Sequence, residues 1–202
     1  MKRIVAVLLT LLIATSAAYS QKVKLIIDAG HGGKDFGAKN KAGDKESDLC
    51  LLMAEALEKY AAENNMETQM TRTKKDQNLT HEQRSGFKVD KNYKTYYISL
   101  HMDKDKNTSV RGNKLYYCTK AVNAGIAKQL ADKIGKGLEK LNGNQSRTED
   151  KDAIILTRNT IPSIMIYYGH VTNPQDVKLA KDPAFQKEVS LLIIRSILET
   201  RY

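Results

Sequence analysis

Apolar residues are arranged in two kinds of pattern along this chain. Short runs such as VKLIID at 23–28 and TYYISL at 95–100 stop at polar or glycine residues, which is typical of buried strands. Longer segments, such as the one at 46–65, carry apolar residues at helical spacing. The patterns predict strands near 23–28, 67–71, 95–100, 113–118, 153–157 and 163–168, and helices over 46–65, near 80–91, over 122–138 and over 185–197.

Predicted strands therefore alternate with predicted helices. This order is typical of α/β proteins, in which helices cover a largely parallel sheet. The sequence has no internal repeat, low-complexity tract or linker, and 202 residues with 41% hydrophobic content suffice for one core. We predict a single α/β domain whose mostly parallel, twisted sheet is flanked by helices.

The amino-terminal segment differs from the rest of the chain. A basic pair precedes an apolar run at 4–14, and small residues follow as far as Gln21. This order is typical of a secretory signal peptide, and the run is shorter than the ~20 residues of a membrane-spanning helix. We predict a signal peptide over 1–20, a mature domain over 21–202 with no membrane span, and a periplasmic or extracellular location.

The net charge of +10 falls to +8 when Lys2 and Arg3 are removed with the predicted signal peptide. The lysines are spread along the chain without interleaved aromatic residues, which favours a solvated surface over nucleic-acid binding. An exported basic protein is suited to anionic envelope polymers or acidic lipid surfaces. We therefore expect no nucleic-acid partner.

Cys50 and Cys118 are the only cysteines. An oxidising compartment permits a disulfide between them. Cys50, however, lies on the apolar face of a predicted helix, and Cys118 ends a predicted strand, so two buried thiols are an equally good interpretation.

Two histidines directly follow predicted strands. His31 lies in the glycine-rich loop of IIDAGHGGKDFGA, and His101 follows YYISL. Ligands of open α/β sheets collect beyond the carboxyl ends of the strands, so both imidazoles are expected at one edge. Glu46 is the first residue of the first predicted helix, where a carboxylate also interacts favourably with the positive end of the helix dipole. Two imidazoles and a carboxylate form the ligand set of a zinc ion that keeps one position open, so these residues are candidate zinc ligands.

Six motifs occur in an order that is found in one known family. They are IIDAGHGGKDFGA, the glutamate of KESDLCLLMAEAL, TRTKKD, ISLHMD, KLYY and IPSIMIYYGHVTNPQD, which together extend from about Val23 to the carboxyl end. The chain resembles the zinc-dependent N-acetylmuramoyl-L-alanine amidases of the Amidase_3 type. The resemblance implies an amidase/phosphorylase-hydrolase-like fold, with zinc held by His31, Glu46 and His101. It further implies hydrolysis of the amide between N-acetylmuramic acid and L-alanine in peptidoglycan or muropeptides.

The resemblance also concerns two arginines. Arg72 and Arg84 match arginines of the family, and structural pairing explains them as well as substrate binding does.

The last predicted strand departs from the family pattern. In the family this strand carries a catalytic glutamate, and here Tyr167 occupies that position, with no Asp or Glu between 153 and 175. A tyrosine with a pKa of about 10 is a poor base, and loss of a general base costs about 10²- to 10⁴-fold in rate. His170, three positions further along, is a candidate substitute base, and a histidine in a surface turn is the alternative.

Three hypotheses follow. The first is an exported zinc amidase of peptidoglycan, for which slow turnover is one outcome of the tyrosine. The second is a zinc-bearing, catalytically impaired relative that binds muropeptides or regulates another cell-wall enzyme. The third, a metal-free structural or surface-binding domain that retains the fold, requires all three candidate ligands to be idle. The sequence does not define an oligomeric state, and a monomer is the simplest expectation.

Overall fold

The computed structural model describes residues 22–200, so the predicted signal peptide lies outside the described residues. A six-stranded sheet with the order β2-β1-β3-β6-β4-β5 forms its centre. The strands are β1 (Lys22–Ala29), β2 (Glu67–Met70), β3 (Tyr93–Asp103), β4 (Asn113–Tyr117), β5 (Ser146–Asp150) and β6 (Ser163–His170).

The sheet is mixed but mostly parallel. β1 pairs in parallel with β2 and β3, β3 with β6, and β4 with β5, whereas β4 runs antiparallel to β6. Because β1, β3 and β6 are parallel neighbours, their carboxyl ends meet at one edge of the sheet. This arrangement confirms the predicted α/β fold and places β3, which carries His101, between β1 and the strand that carries Tyr167.

Two long helices and a closing helix cover one face of the sheet. The five helices of the described residues are α1 (Glu46–Glu63), α2 (Ala124–Asn142), α3 (Ile154–Thr157), α4 (Pro174–Lys181) and α5 (Pro183–Glu199). The three that cover this face are α1, α2 and α5. Alternate strand residues such as Leu100 and Ile166 pack with α1, α2 and α5 in one large core. On the opposite face, Tyr97 and Met165 belong to smaller clusters that also contain Phe87 and residues of α3. This second face is covered by loop segments and a short helix, which leave room for a cavity.

Two predicted elements are wrong. The predicted strand at 153–157 is the short helix α3, because a short apolar run has the same pattern in a buried strand and in one buried helical turn. The predicted helix near 80–91 is only a turn over 81–84. Gly86 then adopts φ +89°, and the side chain of Asn159 accepts the N–H groups of Gly86 and Phe87. These contacts satisfy the backbone without a helix.

Two elements are absent from the prediction. β5 has the polar sequence SRTED because it is a half-exposed edge strand, so apolar periodicity does not reveal it. α4 begins at Pro174, and the side chain of Asn173 caps its first turn by accepting the N–H groups of Gln175 and Asp176.

The cysteines are two free, buried thiols, one in α1 and one just after β4. The structure therefore selects the thiol interpretation over the disulfide. No helix among residues 22–200 is both long enough and apolar enough to cross a membrane.

Candidate metal centre

The structure brings the three candidate ligands together at the carboxyl edge of β1 and β3. Glu46 Oε1 lies 3.1 Å from His31 Nε2 and 2.9 Å from His101 Nδ1. One potential ligand atom from each residue lies within 4.8 Å of the other two. The imidazole rings meet edge to face with their centroids 5.0 Å apart. Two nitrogens and one carboxylate oxygen therefore converge on a small volume.

The carboxylate of this cluster is charged and almost wholly buried. Glu46 is 4% exposed. Burial raises its pKa, but the hydrogen bonds from His101 and His31 outweigh burial and hold the pKa of Glu46 well below its usual range. For His31, burial lowers the pKa, whereas its contacts with Glu46 and Asp35 raise it by more. The buried anion thus has a strong requirement for positive charge beside it.

Backbone groups and an aspartate fix the orientation of the ligands. Glu46 Oε2 accepts the N–H of Ala38 at 3.0 Å, and Oε1 accepts the N–H of Met102 at 3.2 Å. His31 Nδ1 lies 2.8 Å from Asp35 Oδ2, which leaves Nε2 directed at Glu46. A carboxylate on the far ring nitrogen is the common way to orient a metal-binding histidine.

The loop around His31 depends on glycine at two points of close approach. A Cβ at Gly30 would lie 2.4 Å from Cε1 of His101. Gly37 adopts φ +63°, and a Cβ there would lie 2.6 Å from Oε2 of Glu46. His31 itself adopts a left-handed conformation with φ 60°. The close packing of the candidate ligands therefore requires glycine at positions 30 and 37.

The side chain of Arg72 fixes the loop that contains His31 by donating hydrogen bonds to backbone carbonyls. Its Nε donates to the carbonyl of Ala29 at 2.9 Å, and its Nη2 donates at 2.8 Å to the carbonyls of both Gly30 and Ser47. The side chain is 1% exposed. These contacts tie the end of β1 to the first turn of α1, which carries Glu46, and they favour a structural role for Arg72 over substrate binding.

Arg84 has a similar structural role beside the same loop. It forms a buried ion pair of 2.8 Å with Asp28 Oδ1 and donates to the carbonyl of His31. Thr71 and Ser99 donate their hydroxyls to the same carboxylate at 2.6 and 2.7 Å. The arginine and the aspartate thus complete each other's hydrogen bonding beneath the cluster, which again supports the structural interpretation.

A cavity of about 330 Å³ opens beside the cluster, and Tyr167 forms part of its wall. We call it the metal-side cavity. The Tyr167 ring stacks on His101 at a centroid distance of 5.0 Å and an interplanar angle of 17°. Tyr116 packs edge-on against it at 5.4 Å and 88°. Burial raises the pKa of Tyr167 well above its ordinary value. Tyr167 therefore remains a neutral phenol that can donate a hydrogen bond but cannot serve as a base near neutral pH.

The carboxylates on the cavity wall are engaged in other contacts. Among the described residues, the wall includes two aspartates. Asp28 is bonded to Arg84, and Asp35 is bonded to His31. Neither aspartate is free to accept a proton from water.

His170 belongs to a different cavity. Its side chain is buried, lines a space of about 260 Å³ with Asp103 and Arg111, and is not among the residues that line the metal-side cavity. Its Nε2 lies 3.8 Å from Asp103, and its Nδ1 lies 4.0 Å from Asp176 and has no hydrogen-bond partner among residues 22–200. The surface-turn interpretation is wrong because the residue is 4% exposed. His170 therefore lines a different cavity from Tyr167.

β6 contains an extra residue between Tyr167 and His170, and His170 therefore pairs with Asp103, which lines the second cavity. His101 pairs with Tyr167, whereas Asp103, two positions on, pairs with His170, three positions on. Gly169 adopts φ 142° at this irregularity. Bulges of this kind redirect the side chains that follow them.

The sequence profile of the Amidase_3 family, described as N-acetylmuramoyl-L-alanine amidase, matches residues 25–199. The chain belongs to this family. The match covers nearly all of the described residues of the amidase fold and includes all three candidate ligands.

Relatives of known name agree with the family. The probable cell wall amidase LytH of Staphylococcus aureus is 26% identical to this amidase-family chain over 175 residues, which are 84% of this chain and 55% of LytH. The chain therefore spans about half the length of the curated relatives it matches.

Solved structures of amidases share the fold. An N-acetylmuramoyl-L-alanine amidase from Clostridium difficile 630 superposes with a TM-score of 0.76 at 22% identity, covering 89% of this chain and 96% of that one. The CwlD amidase from Clostridioides difficile, solved in complex with the GerS lipoprotein, gives 0.73 at 24% identity, covering 89% and 100%. These similarities support the amidase fold.

Three residues of this amidase-family site are absent from the sequence prediction. Asp35 follows His31 by four residues, and that spacing in a tight loop is a usable signal. Tyr116 and Lys151 reach the site from β4 and from the end of β5. β5 itself lacks an apolar pattern, so nothing in the sequence indicates that Lys151 lies at the cavity.

Proposed function

We propose that this protein is an exported, zinc-dependent amidase that hydrolyses the bond between N-acetylmuramic acid and L-alanine in peptidoglycan, at a low rate. The family match supports the amidase class. The single observation that supports the metal is the convergence of His31, Glu46 and His101 around a buried carboxylate.

The donor set fits zinc. Two imidazole nitrogens and one carboxylate oxygen are the protein ligands of catalytic zinc sites that keep a position open. The buried charge of Glu46 and the aspartate behind His31 match the demands of a divalent cation. The chemistry that bound zinc supplies is Lewis acidity, which polarises an amide carbonyl and makes water acidic enough to attack near neutral pH.

Side chains of the protein would bind the ion, orient its ligands and contact the substrate. His31, Glu46 and His101 would hold the ion, and Asp35 keeps the His31 ring in position. The neutral phenol of Tyr167 can donate a hydrogen bond toward a developing negative oxygen but does not accept a proton from water. Because a general base contributes about 10²- to 10⁴-fold, turnover should be slow by that factor.

A second candidate is favoured by the same tyrosine. The phenol stacked on His101, with no free carboxylate on the described cavity wall, is also what a zinc-bearing protein that binds muropeptides without cleaving them would have. Such a protein could regulate another cell-wall enzyme.

One experiment separates the two. Bound zinc is measured in the purified protein, and release of stem peptide from muropeptides is followed for the parent, for Tyr167→Glu and for Tyr167→Phe as the matched control. The slow amidase predicts one zinc per chain, measurable turnover by the parent, and a rise of about 10²- to 10⁴-fold in Tyr167→Glu alone.

Other results lead elsewhere. A silent parent that binds muropeptides, together with an active Tyr167→Glu, selects the binding protein. Equal rates in the parent and Tyr167→Glu would mean that a base lies elsewhere. Absence of stoichiometric zinc would contradict the metal assignment. Export is supported by the pattern of residues 1–20, and it is tested by locating the protein and determining its mature amino terminus.

A further inference from the structure

Lys151 extends an ammonium group across the aromatic wall of the metal-side cavity. Its backbone is anchored on both sides, because its N–H donates to the carbonyl of Tyr117 at 2.8 Å and its carbonyl accepts the N–H of Ala153 at 2.9 Å. Its Nζ lies 4.4 Å from the ring centroid of Tyr116 and 5.5 Å from that of Tyr167. Two aromatic faces therefore hold the cation in place.

The Lys151 ammonium group and the candidate metal ligand His101 both contact the ring of Tyr167. The Tyr167 ring, which lies 5.5 Å from the Lys151 ammonium group, also stacks on His101. Lys151, His31 and His101 all line the same cavity. A substrate placed beside the two histidines would therefore come within the reach of the ammonium group.

The ammonium group has no carboxylate partner within the described part of the chain. The neighbouring acids are engaged elsewhere, since Asp150 accepts both the N–H and the hydroxyl of Thr119. Asp152 forms an ion pair with Lys120. Within residues 22–200 the ammonium group of Lys151 thus contacts aromatic rings and no carboxylate, and it can pair with an anion of a ligand.

The rest of the wall indicates what kind of ligand fits. Arg84, the other lysine or arginine among the described lining residues, is bound to Asp28. Ile155 and Met165 give the wall an apolar portion. A peptide that combines small apolar groups with a free carboxylate matches this combination of surfaces.

We infer that Lys151 binds a carboxylate of the stem peptide, so that the site selects muropeptides with a free acid close to the L-alanine over those in which that acid is a carboxamide. The inference rests on the proposed function and names the substrate class within it. A carboxamide keeps the shape of the acid but loses the charge that pairs with an ammonium group.

The test compares two synthetic muropeptides that differ only in this group, the free acid and the carboxamide. Dissociation constants are measured by calorimetry and kcat/KM by peptide release, for the wild type, Lys151→Met, Lys151→Arg and Lys128→Met. The control Lys128 is exposed on α2 and pairs with Asp132, outside the residues that line the cavity. Binding is the primary readout because it does not depend on a fast chemical step.

We expect the wild type to favour the free acid by about 10- to 100-fold, the range of one charged hydrogen bond. Lys151→Met should bind both compounds as weakly as the wild type binds the carboxamide. Lys151→Arg should retain most of the preference, and Lys128→Met should match the wild type.

Three results would overturn the inference. Equal affinity of the wild type for acid and carboxamide refutes it while leaving the proposed function intact. A uniform loss in Lys151→Met with an unchanged acid-to-carboxamide ratio would show that the lysine only braces the tyrosine rings. If the wild type neither binds nor cleaves either compound, the proposed function and the inference both fail.

Discussion

The two sides of the candidate site are built with different degrees of constraint. On the side of β1 and α1, the ligands are fixed by two buried arginines, by glycines that allow close approach, and by backbone N–H groups on the Glu46 carboxylate. On the side of β6, Tyr167 is held mainly by ring contacts with His101 and Tyr116. The metal side therefore belongs to the framework of the fold, whereas the β6 position is a replaceable part of the wall.

This difference explains how the fold accommodates an aromatic side chain at position 167. A tyrosine at position 167 stacks on the neighbouring imidazole and keeps the wall packed. A change among the groups that hold the ligands would instead leave buried charges or carbonyls without partners. The contacts of the fold therefore constrain the cluster of His31, Glu46 and His101 more strongly than they constrain position 167.

Replacement of Arg84 should have the largest effect on this framework. Arg84→Met leaves the buried carboxylate of Asp28 without its charge partner and frees the carbonyl of His31. Breaking a buried ion pair by removing one partner costs about 3–5 kcal/mol of unfolding free energy. Urea denaturation measures the loss, and Arg158→Met, at an exposed position, should change the unfolding free energy by less than about 0.5 kcal/mol.

The pH dependence of this effect has a defined sign. Burial raises the pKa of Asp28, but Arg84 and the hydroxyl donors outweigh burial and lower it. A carboxyl group with a depressed pKa contributes stability that is present above its ordinary pKa of about 4 and is lost as the pH falls. The difference in stability between the wild type and Arg84→Met should therefore shrink at acidic pH, and a constant difference would contradict this account.

Replacement of Asp35 should have a smaller effect, confined to the metal. Asp35→Asn preserves the shape of the side chain but removes the anion that orients His31 through Nδ1. Loss of such a partner typically lowers metal affinity by about 10- to 100-fold. Zinc competition with a chromophoric chelator measures the affinity, and Asp76→Asn is the matched exposed control. Equal affinity in both variants would show that the histidine does not require the carboxylate.

The same difference between the two sides of the site determines which of its residues can be predicted from the sequence. His31 and His101 are predictable because buried parallel strands are apolar runs that end visibly at the ligand edge. The polar edge strand β5 has no such pattern, so the position of Lys151 at the cavity follows only from the pairing of β5 with β4.

The placement of His170 depends on a local irregularity of β6. A regular strand would continue the alternation of Tyr167 and the residues after it, but β6 contains an extra residue opposite β3. Gly169 makes the irregular backbone accessible, yet a single glycine in a strand does not reveal whether a bulge forms or where the next side chain points. Long-range pairing decides that, and the sequence pattern does not contain it.

Replacement of His170 should have the smallest effect on catalysis and so provides the sharpest test of the difference between the two cavities. The side chain lies between Asp103 and Asp176 in its own cavity, outside the residues that line the metal-side cavity. We expect His170→Gln to change kcat/KM by less than about threefold, whereas loss of a true general base costs about 10²- to 10⁴-fold. Because His170 is buried, zinc content and thermal unfolding are measured in parallel. A fall of about 100-fold or more in kcat/KM in a folded, zinc-loaded His170→Gln protein would restore the histidine as the base and remove the reason for slow turnover.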